Sequence, residues 1–388
     1  SFAQFWRAPF PCTQFSLHGG QPLQPNTMSG RDAHSDTAMV TSTKTESDSE
    51  GEEDMEQGED SGSGGEDPLH EEHEPLEESI FGWAVSMVVR DVVWLHEGTA
   101  VPMHRRARIV NSILLIACTI TLQFFLLVAV SRLLTAPACL SIRRTYGKYE
   151  ELMYPNHTKL TVNGFPRGIP GYRVDENFLK MSRDEQEQVC EVPLSHPWYL
   201  ASILFIWTLT CLVECRTIFE TAVRLLWRTP TVATEAEVIR PGEGDHEVQV
   251  AGLTRFMKAV IGIFIVLPRM ATLLALNYLG CRWLTATLGL GDVLLNGLAL
   301  EFLVLLKELL YNVCISHRNR VATQRLLVKP FRDVNRASFC TFFDAQVWGL
   351  ISIIWALLYV FHIQMVLPEY RWDLRDLCHK YLPAGPLF

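Results

Sequence analysis

Residues 291–312 combine the length of a membrane span with polar and charged side chains. The segment reads GDVLLNGLALEFLVLLKELLYN, and its polar members include Asp292, Asn296, Glu301, Lys307 and Glu308. On a helix these residues form two stripes on opposite sides, separated by leucines. An ionised side chain at the centre of a bilayer costs about 2.5–3.5 kcal/mol. We therefore expect protein or water around this helix rather than lipid.

Arg269 is the expected partner of the most central acid, Glu301. A short connection joins the apolar stretch that contains Arg269 to residues 291–312, so antiparallel neighbouring helices would bring both side chains to similar depth. Pro268 can kink the first helix and open space for water. The open interpretations are a buried ion pair that only fixes packing, a polar path for an ion or small solute along all these residues, a protonated Glu301, and a different span boundary.

Other patterns in the chain do not point to catalysis. The sequence has no phosphate-binding glycine loop with a lysine and no paired-histidine metalloprotease motif, and its acids lack a recognisable nucleophile or metal site beside them. We therefore predict that the protein is not an enzyme and has no cofactor, no metal site and no nucleic-acid partner.

Composition indicates a membrane protein with an acidic N-terminal tail. Of 388 residues, 48% are hydrophobic, and residues 46–78 hold 16 of the 43 acidic residues without any lysine or arginine. The remaining chain has 34 basic and 27 (43 minus 16) acidic residues, which suits short loops that meet anionic lipid headgroups. Because the acidic block offers nothing to bury, we predict a disordered tail that recruits a basic cytoplasmic partner.

Five stretches approach the length of about 20 apolar residues that a helix needs to cross a bilayer. We predict an all-α, multi-pass transmembrane helix bundle. Its parts are a disordered acidic cytoplasmic tail (1–79), an interfacial helix and basic flank (80–108), a first span (109–134), an extracytoplasmic loop (135–197), a second span with a helical extension (198–227), a cytoplasmic linker (228–254), the third and fourth spans (255–313), a basic cytoplasmic loop (314–342), and a fifth span with a C-terminal tail (343–388). A short strand or a packed cap is the alternative for residues 80–98.

The distribution of basic residues predicts the orientation. A basic cluster at 104–108 precedes the first span, which places the N-terminus in the cytoplasm. The loop 135–197 is then extracytoplasmic, where Asn156 of the triplet NHT is a glycosylation acceptor. Six basic residues against one acid in 314–336 require that stretch to be cytoplasmic, so residues 291–313 must cross.

Four of the ten cysteines fall outside the membrane in this arrangement. We predict that Cys139 pairs with Cys190, which bracket the outer loop, and that Cys281 pairs with Cys378, since the outside permits disulfides. Thiols that are free or differently paired are the alternative.

The sequence thus favours a protein integral to a membrane of the secretory pathway or to the plasma membrane. The leading hypothesis is a channel-like or transport-type protein, or a subunit of one, with a polar path along the fourth span. The alternative is a non-transporting scaffold or receptor-like protein that binds partners through its outer loop and acidic tail. Expected partners are the lipid bilayer and other membrane subunits or further copies of the chain.

Overall fold

Long helices dominate the computed structural model, which describes residues 73–96, 103–242, 247–331 and 339–381. Residues 1–72 of the predicted tail lie outside the described residues. The described helices are α1 (Ile80–His96), α2 (Met103–Ala129), α3 (Ala136–Met153), α4 (Arg183–Cys190), α5 (Pro197–Ala222), α6 (Arg255–Val260), α7 (Leu267–Ala286), α8 (Leu290–Cys314), α9 (His317–Gln324), α10 (Phe339–Leu358) and α11 (Leu374–Tyr381). The described strands are β1 (Glu74–Pro75), β2 (Thr158–Leu160), β3 (Pro166–Gly168), β4 (Ile239–Pro241), β5 (Val248–Val250) and β6 (Leu326–Val328).

Turns of π-helix extend or join several of the long helices. One turn, Val130–Thr135, makes α2 and α3 one continuous helix, and another, Ile261–Val266, joins α6 to α7. Pro268 lies two residues after the end of the second turn. Because proline has no N–H and its ring crowds the preceding turn, it disturbs the regular α-helical hydrogen bonds at this point. Further π turns follow α5 at Val223–Arg228 and α10 at Tyr359–Ile363.

Four helical stretches in the described part of the chain are long enough and apolar enough to cross a membrane. They are Arg106–Met153, Pro197–Arg228, Arg255–Ala286 and Gln346–Ile363, at the places of the predicted first, second, third and fifth spans. The first continues well beyond residue 134, where we predicted a loop. Many of their outward side chains are exposed and apolar, such as Phe125, Phe264 and Leu350, which is consistent with lipid contact.

Helix α8 does not belong to this set because of its charges, yet it runs beside α5 and α7 from one end of the bundle to the other. At its start, the Tyr199 hydroxyl of α5 donates a hydrogen bond to the Leu290 carbonyl at 2.7 Å. After its end, β6 pairs with β5, which lies just before α6. Its 25 residues cover about 37 Å. The helix is therefore antiparallel to α6 and α7.

A small sheet closes the bundle at the end where α6 begins. Its strand order is β1-β6-β5-β4, with β6 parallel to β5 and the other pairs antiparallel. The all-α prediction was therefore incomplete, because the expected linker and basic loop contribute strands. These strands have only two or three residues each and pair with distant segments, so no alternating pattern marks them in the sequence. We call this the sheet end.

Helix α1 is buried inside the protein at the sheet end, not on its surface as the predicted interfacial helix would be. Ile80, Phe81, Trp83 and Val85 are almost completely inaccessible to solvent. The helix packs against α2, α8 and α9 and also contacts the π turn that precedes α7. Apolar residues on most sides of a helix are typical of a buried helix, and this pattern explains the packing.

The opposite end carries an ordered cap, formed by residues 143–195 and 364–381. Arg143 Nε donates to the Val366 carbonyl at 2.7 Å, which ties the predicted C-terminal tail to the predicted outer loop. The β2–β3 hairpin and α4 belong to this cap. Ser182 forms a capping box with Glu185 at the start of α4.

The cap contains a disulfide, but both predicted pairings were wrong. Cys190 of α4 is bonded to Cys378 of α11, with their Cα atoms 5.8 Å apart. Cys139 and Cys281 form no disulfide and are buried in the core of the bundle. The spacing of cysteines along the chain could not show that the C-terminal segment folds back onto the outer loop.

Candidate functional site

Four ionisable side chains meet in the interior of the bundle, and we call them the charge cluster. Glu77 comes from the segment between β1 and α1, and the others come from α5, α7 and α8: Glu214, Arg269 and Lys307. The side chains of Arg269 and Lys307 are only 6% and 7% exposed. Buried charges of this kind require close partners, because water no longer solvates them.

Arg269 bridges the two carboxylates of the cluster. Its Nη1 and Nη2 donate to the two carboxylate oxygens of Glu77 at 2.9 and 2.7 Å. Its Nε donates to Glu214 Oε1 at 2.9 Å. The fork of the guanidinium suits such two-point contact with a carboxylate. The centroid of the Phe81 ring lies 4.8 Å from Arg269 Cζ, so the ring covers the guanidinium.

Lys307 forms the second bridge. Its Nζ lies 3.3 Å from Glu77 Oε1 and also contacts Glu214 Oε2. Each carboxylate therefore meets both cations, and two positive charges balance two negative charges. The cluster is neutral as a whole, which reduces the cost of its burial.

Glu77 owes its ionised state to these cations. Burial raises the pKa of Glu77, but the charges and hydrogen bonds of Arg269, together with the charge of Lys307, outweigh burial. The pKa falls from 4.5 to about 2. Glu77 therefore carries a full negative charge at neutral pH although its side chain is only 17% exposed.

A small cavity adjoins the charge cluster. Glu214, Arg269 and Lys307 line it together with residues of α1, α2, α7 and α8: Phe81, Gln123, Leu126, Leu127, Thr272, Leu273, Leu276, Leu303, Val304 and Leu306. On α7 and α8, the lining residues outside the cluster lie on its cap side. The volume open to the centres of water molecules is about 50 Å³, room for a few waters.

Gln123 gives this mostly apolar cavity a further polar group. Its Oε1 is buried and accepts no hydrogen bond from the part of the chain that the structure describes. A buried acceptor of this kind normally has a partner, and a water molecule in the cavity can provide it. On the sheet side, the Phe81 ring of α1 lies over the Arg269 guanidinium, and a second, smaller cavity adjoins Arg269 there.

The structure brings together only two of the residues that we predicted to form one site. Arg269 and Lys307 are in the charge cluster, but the expected pair of Arg269 with Glu301 is absent, because Glu301 lies on the exposed side of α8. Glu308 is exposed on the same side. The cause is rotation of the helix about its axis: the position of Glu301 along the chain predicts its depth but not which side of α8 faces α7.

The two remaining polar residues of α8 lie near its start. Asp292 is exposed in the first helical turn, where a negative charge interacts favourably with the helix dipole. Asn296 Nδ2 donates to the Thr287 hydroxyl at 3.0 Å. Neither residue contacts the charge cluster, so the structure does not line up the five polar residues of α8 along one path.

Neither Glu77 nor Glu214 was predicted from the sequence as a site residue, and the reasons differ. Glu214 is the single acid in the apolar run CLVEC, and this isolation was a usable signal. Glu77 lies in a block of acidic residues that ends at Glu78 and has the composition of a disordered segment. Nothing in that block distinguishes Glu77 from its neighbours, because its role depends on contacts 192 and 230 residues away.

Asn156, the predicted glycosylation acceptor, is exposed in the turn between α3 and β2, with φ of 63°. Its modification stays a prediction.

Comparison of the chain with protein-family models, with curated proteins and with solved structures finds no match. The functional argument therefore rests on the charge cluster, its cavity and the helices around them.

Proposed function

We propose that this is an integral membrane protein in which α8 crosses the bilayer as a fifth span. The support is geometric: α8 connects the same two ends of the bundle as α5 and the α6–α7 helix, both of which have the length and composition of spans. With the basic residues around α9 at the sheet end, that end faces the cytoplasm and the cap faces outward.

We further propose that the protein transports protons or small monovalent cations through the charge cluster. The observation that carries this proposal is a neutral set of two acids and two bases beside a cavity of water size, in the middle of helices that cross the membrane. Ionisable residues at such depth are costly and commonly mark the route of an ion or proton.

The geometry of Lys307 supports an exchange mechanism. Its ammonium bridges the two carboxylates as a single point charge, whereas Arg269 holds both through several hydrogen bonds. A small cation that arrives from the cavity can take the place of the Lys307 ammonium, and a proton can do so by neutralising Glu214. Arg269 would keep the carboxylates in position during this exchange.

The size of the cavity limits the cargo. A volume of about 50 Å³ for water centres admits a few waters or one small ion, but no organic solute. Because the Phe81 ring of α1 lies over the Arg269 guanidinium and the cap closes the opposite end of the bundle, transport requires movement of α1 and of the cap.

The test uses purified protein in lipid vesicles with a trapped pH-sensitive dye, under an imposed pH gradient with and without Na⁺ or K⁺. We expect flux from the unchanged chain and its loss in the double variant Glu214→Gln/Lys307→Gln. This variant removes one charge of each sign, so the cluster stays neutral and we expect the fold to be retained.

Glu220→Gln is the matched control. Glu220 lies on the same helix as Glu214 but forms a half-exposed ion pair with Arg216 at 2.6 Å. This variant should transport like the unchanged chain. If the double variant also transports at the unchanged rate, the charge cluster serves packing alone and the transport proposal fails.

A receptor-like or scaffold function is the second candidate, and the cap favours it. The β2–β3 hairpin exposes apolar side chains, with Leu160 75% exposed and Val162 at its tip fully exposed. Exposed apolar side chains on an ordered unit suit partner binding. Under this function, Leu160→Ser/Val162→Ser should abolish binding of an outer partner and leave the vesicle assay unchanged.

Deletion of residues 46–72 should abolish binding of a basic cytoplasmic partner, and it leaves Glu77 in the chain.

A further inference from the structure

The outward face of α8 combines exposed apolar side chains with two acids. Leu298 and Phe302 are 58% and 56% exposed, and Leu305 is 42% exposed. Glu301 and Glu308 lie on this same face, two helical turns apart. Glu301 is close to the middle of α8, which runs from Leu290 to Cys314.

Within the part of the chain that the structure describes, Glu301 forms no ion pair and no side-chain hydrogen bond. If α8 crosses the bilayer, a carboxylate in this position would face the lipid hydrocarbon. That placement is costly, and acids inside membranes normally face protein or water. The outward face of α8 therefore requires a partner that supplies a positive charge or a hydrogen-bond donor.

Arg132 is an exposed charge of the opposite sign on the neighbouring helix. It is exposed in the π turn between α2 and α3, next to Leu133, which is 72% exposed. Among the described residues it likewise forms no ion pair. Among the described residues, the outward faces of these two adjacent helices thus carry an unpaired base, Arg132, and two unpaired acids, Glu301 and Glu308.

The shared cavity shows that Arg132 and Glu301 lie at similar depth. Leu127 of α2 and Leu303 of α8 both line it. Towards the cap, Arg132 is five residues beyond Leu127, or about 7 Å, and Glu301 is two residues beyond Leu303, or about 3 Å. An arginine side chain is long enough to bridge this difference.

We propose that two copies of this chain associate through the outward faces of α2 and α8, with Glu301 of each copy paired to Arg132 of the other. A two-fold axis along the membrane normal leaves the depth of every residue unchanged. It therefore pairs Glu301 of the first copy with Arg132 of the second, and Arg132 of the first copy with Glu301 of the second. Contact of α8 with α8 alone would instead oppose two Glu301 side chains. The inference rests on the proposed crossing of α8 but not on transport.

Association is measured by counting photobleaching steps of singly labelled protein in vesicles, at decreasing protein-to-lipid ratios. Glu301→Arg and Arg132→Glu should each weaken the dimer about threefold to tenfold, the range for polar contacts between spanning helices. The combined charge swap should restore it. Monomeric unchanged protein at every ratio, or a swap variant no better than the single variants, would overturn the proposal.

Disulfide cross-linking supplies an independent test that does not depend on charged substitutions. In a background where the exposed Cys118 and Cys314 are replaced by serine, mixed copies with Glu301→Cys and Arg132→Cys should cross-link. The control for depth pairs Arg132→Cys with Glu308→Cys. Residue 308 lies on the same face of α8 as residue 301 but about 10 Å nearer the sheet end, so this pair should not cross-link. Equal cross-linking of the two pairs contradicts the predicted register.

Discussion

Glu77 and Glu78 are adjacent acids with opposite surroundings. Glu77 is held by two buried cations, whereas Glu78 is exposed and accepts a hydrogen bond from Gln324 Nε2 at 2.7 Å. Breaking a buried ion pair from one side typically costs about 3–5 kcal/mol, because it leaves uncompensated charge. A comparable exposed substitution stays within about 0.5 kcal/mol.

We therefore expect Glu77→Gln to lower the free energy of unfolding at pH 7 by about 3 kcal/mol, and Glu78→Gln to leave it nearly unchanged. The measurement is the thermal unfolding midpoint of the purified protein in detergent, followed by tryptophan fluorescence. Equal midpoints for the two variants would show that the cluster does not stabilise the fold.

The lowered pKa of Glu77 also predicts a pH dependence. Because the pKa of Glu77 falls from 4.5 to about 2 on folding, its contribution is complete above pH 4.5 and is lost as the pH falls from 4.5 to 2. The difference in midpoint between the unchanged chain and Glu77→Gln should shrink over that interval. A difference that stays constant from pH 6 to pH 3 contradicts this assignment.

At the scale of elements, the sequence indicated long apolar helices far better than short strands or tertiary pairing. Length and hydropathy marked the four membrane-length helices, because each property is local. The β1–β6 pair joins segments about 250 residues apart, and the Cys190–Cys378 bond joins segments 188 residues apart. Only the folded arrangement brings such segments together.

The disulfide offers a prediction at this scale. It ties α4 to α11, so Cys190→Ser should destabilise the cap by about 2–4 kcal/mol, a typical value for a native disulfide. Cys378→Ser and the double variant should cost the same, because all three remove one bond. Cys314→Ser, which changes an exposed thiol, is the control. Peptide mapping without reduction that links Cys139 to Cys190 instead would contradict the structure.

At the scale of the whole molecule, two closed ends flank a bundle of helices. The cap holds one end through the disulfide and through contacts of Arg143 and Arg167 with the C-terminal segment. The sheet end joins β1, the β4–β5 hairpin and β6. The charge cluster lies between the ends, where Glu77 reaches the bundle interior from the sheet end.

The candidate site could be predicted only in part, because it depends on how the whole molecule packs. Arg269 and Lys307 were recognisable as charges in apolar helices, but the helix face that each presents depends on packing. The sequence therefore indicated that buried charges exist and did not indicate their partners. Glu77 enters the cluster because α1 packs inside the bundle, which its composition alone left open.

Topology mapping is the decisive experiment, because both the transport proposal and the dimer proposal require α8 to cross the bilayer. One chain carries the native acceptor Asn156 and an epitope tag inserted between residues 334 and 335. We expect a glycosidase-sensitive shift from Asn156, and digestion of the tag when protease is added to the cytoplasmic side of sealed membranes. A tag that is protected from cytoplasmic protease while Asn156 is glycosylated would place both ends of α8 on the outer side and contradict the account.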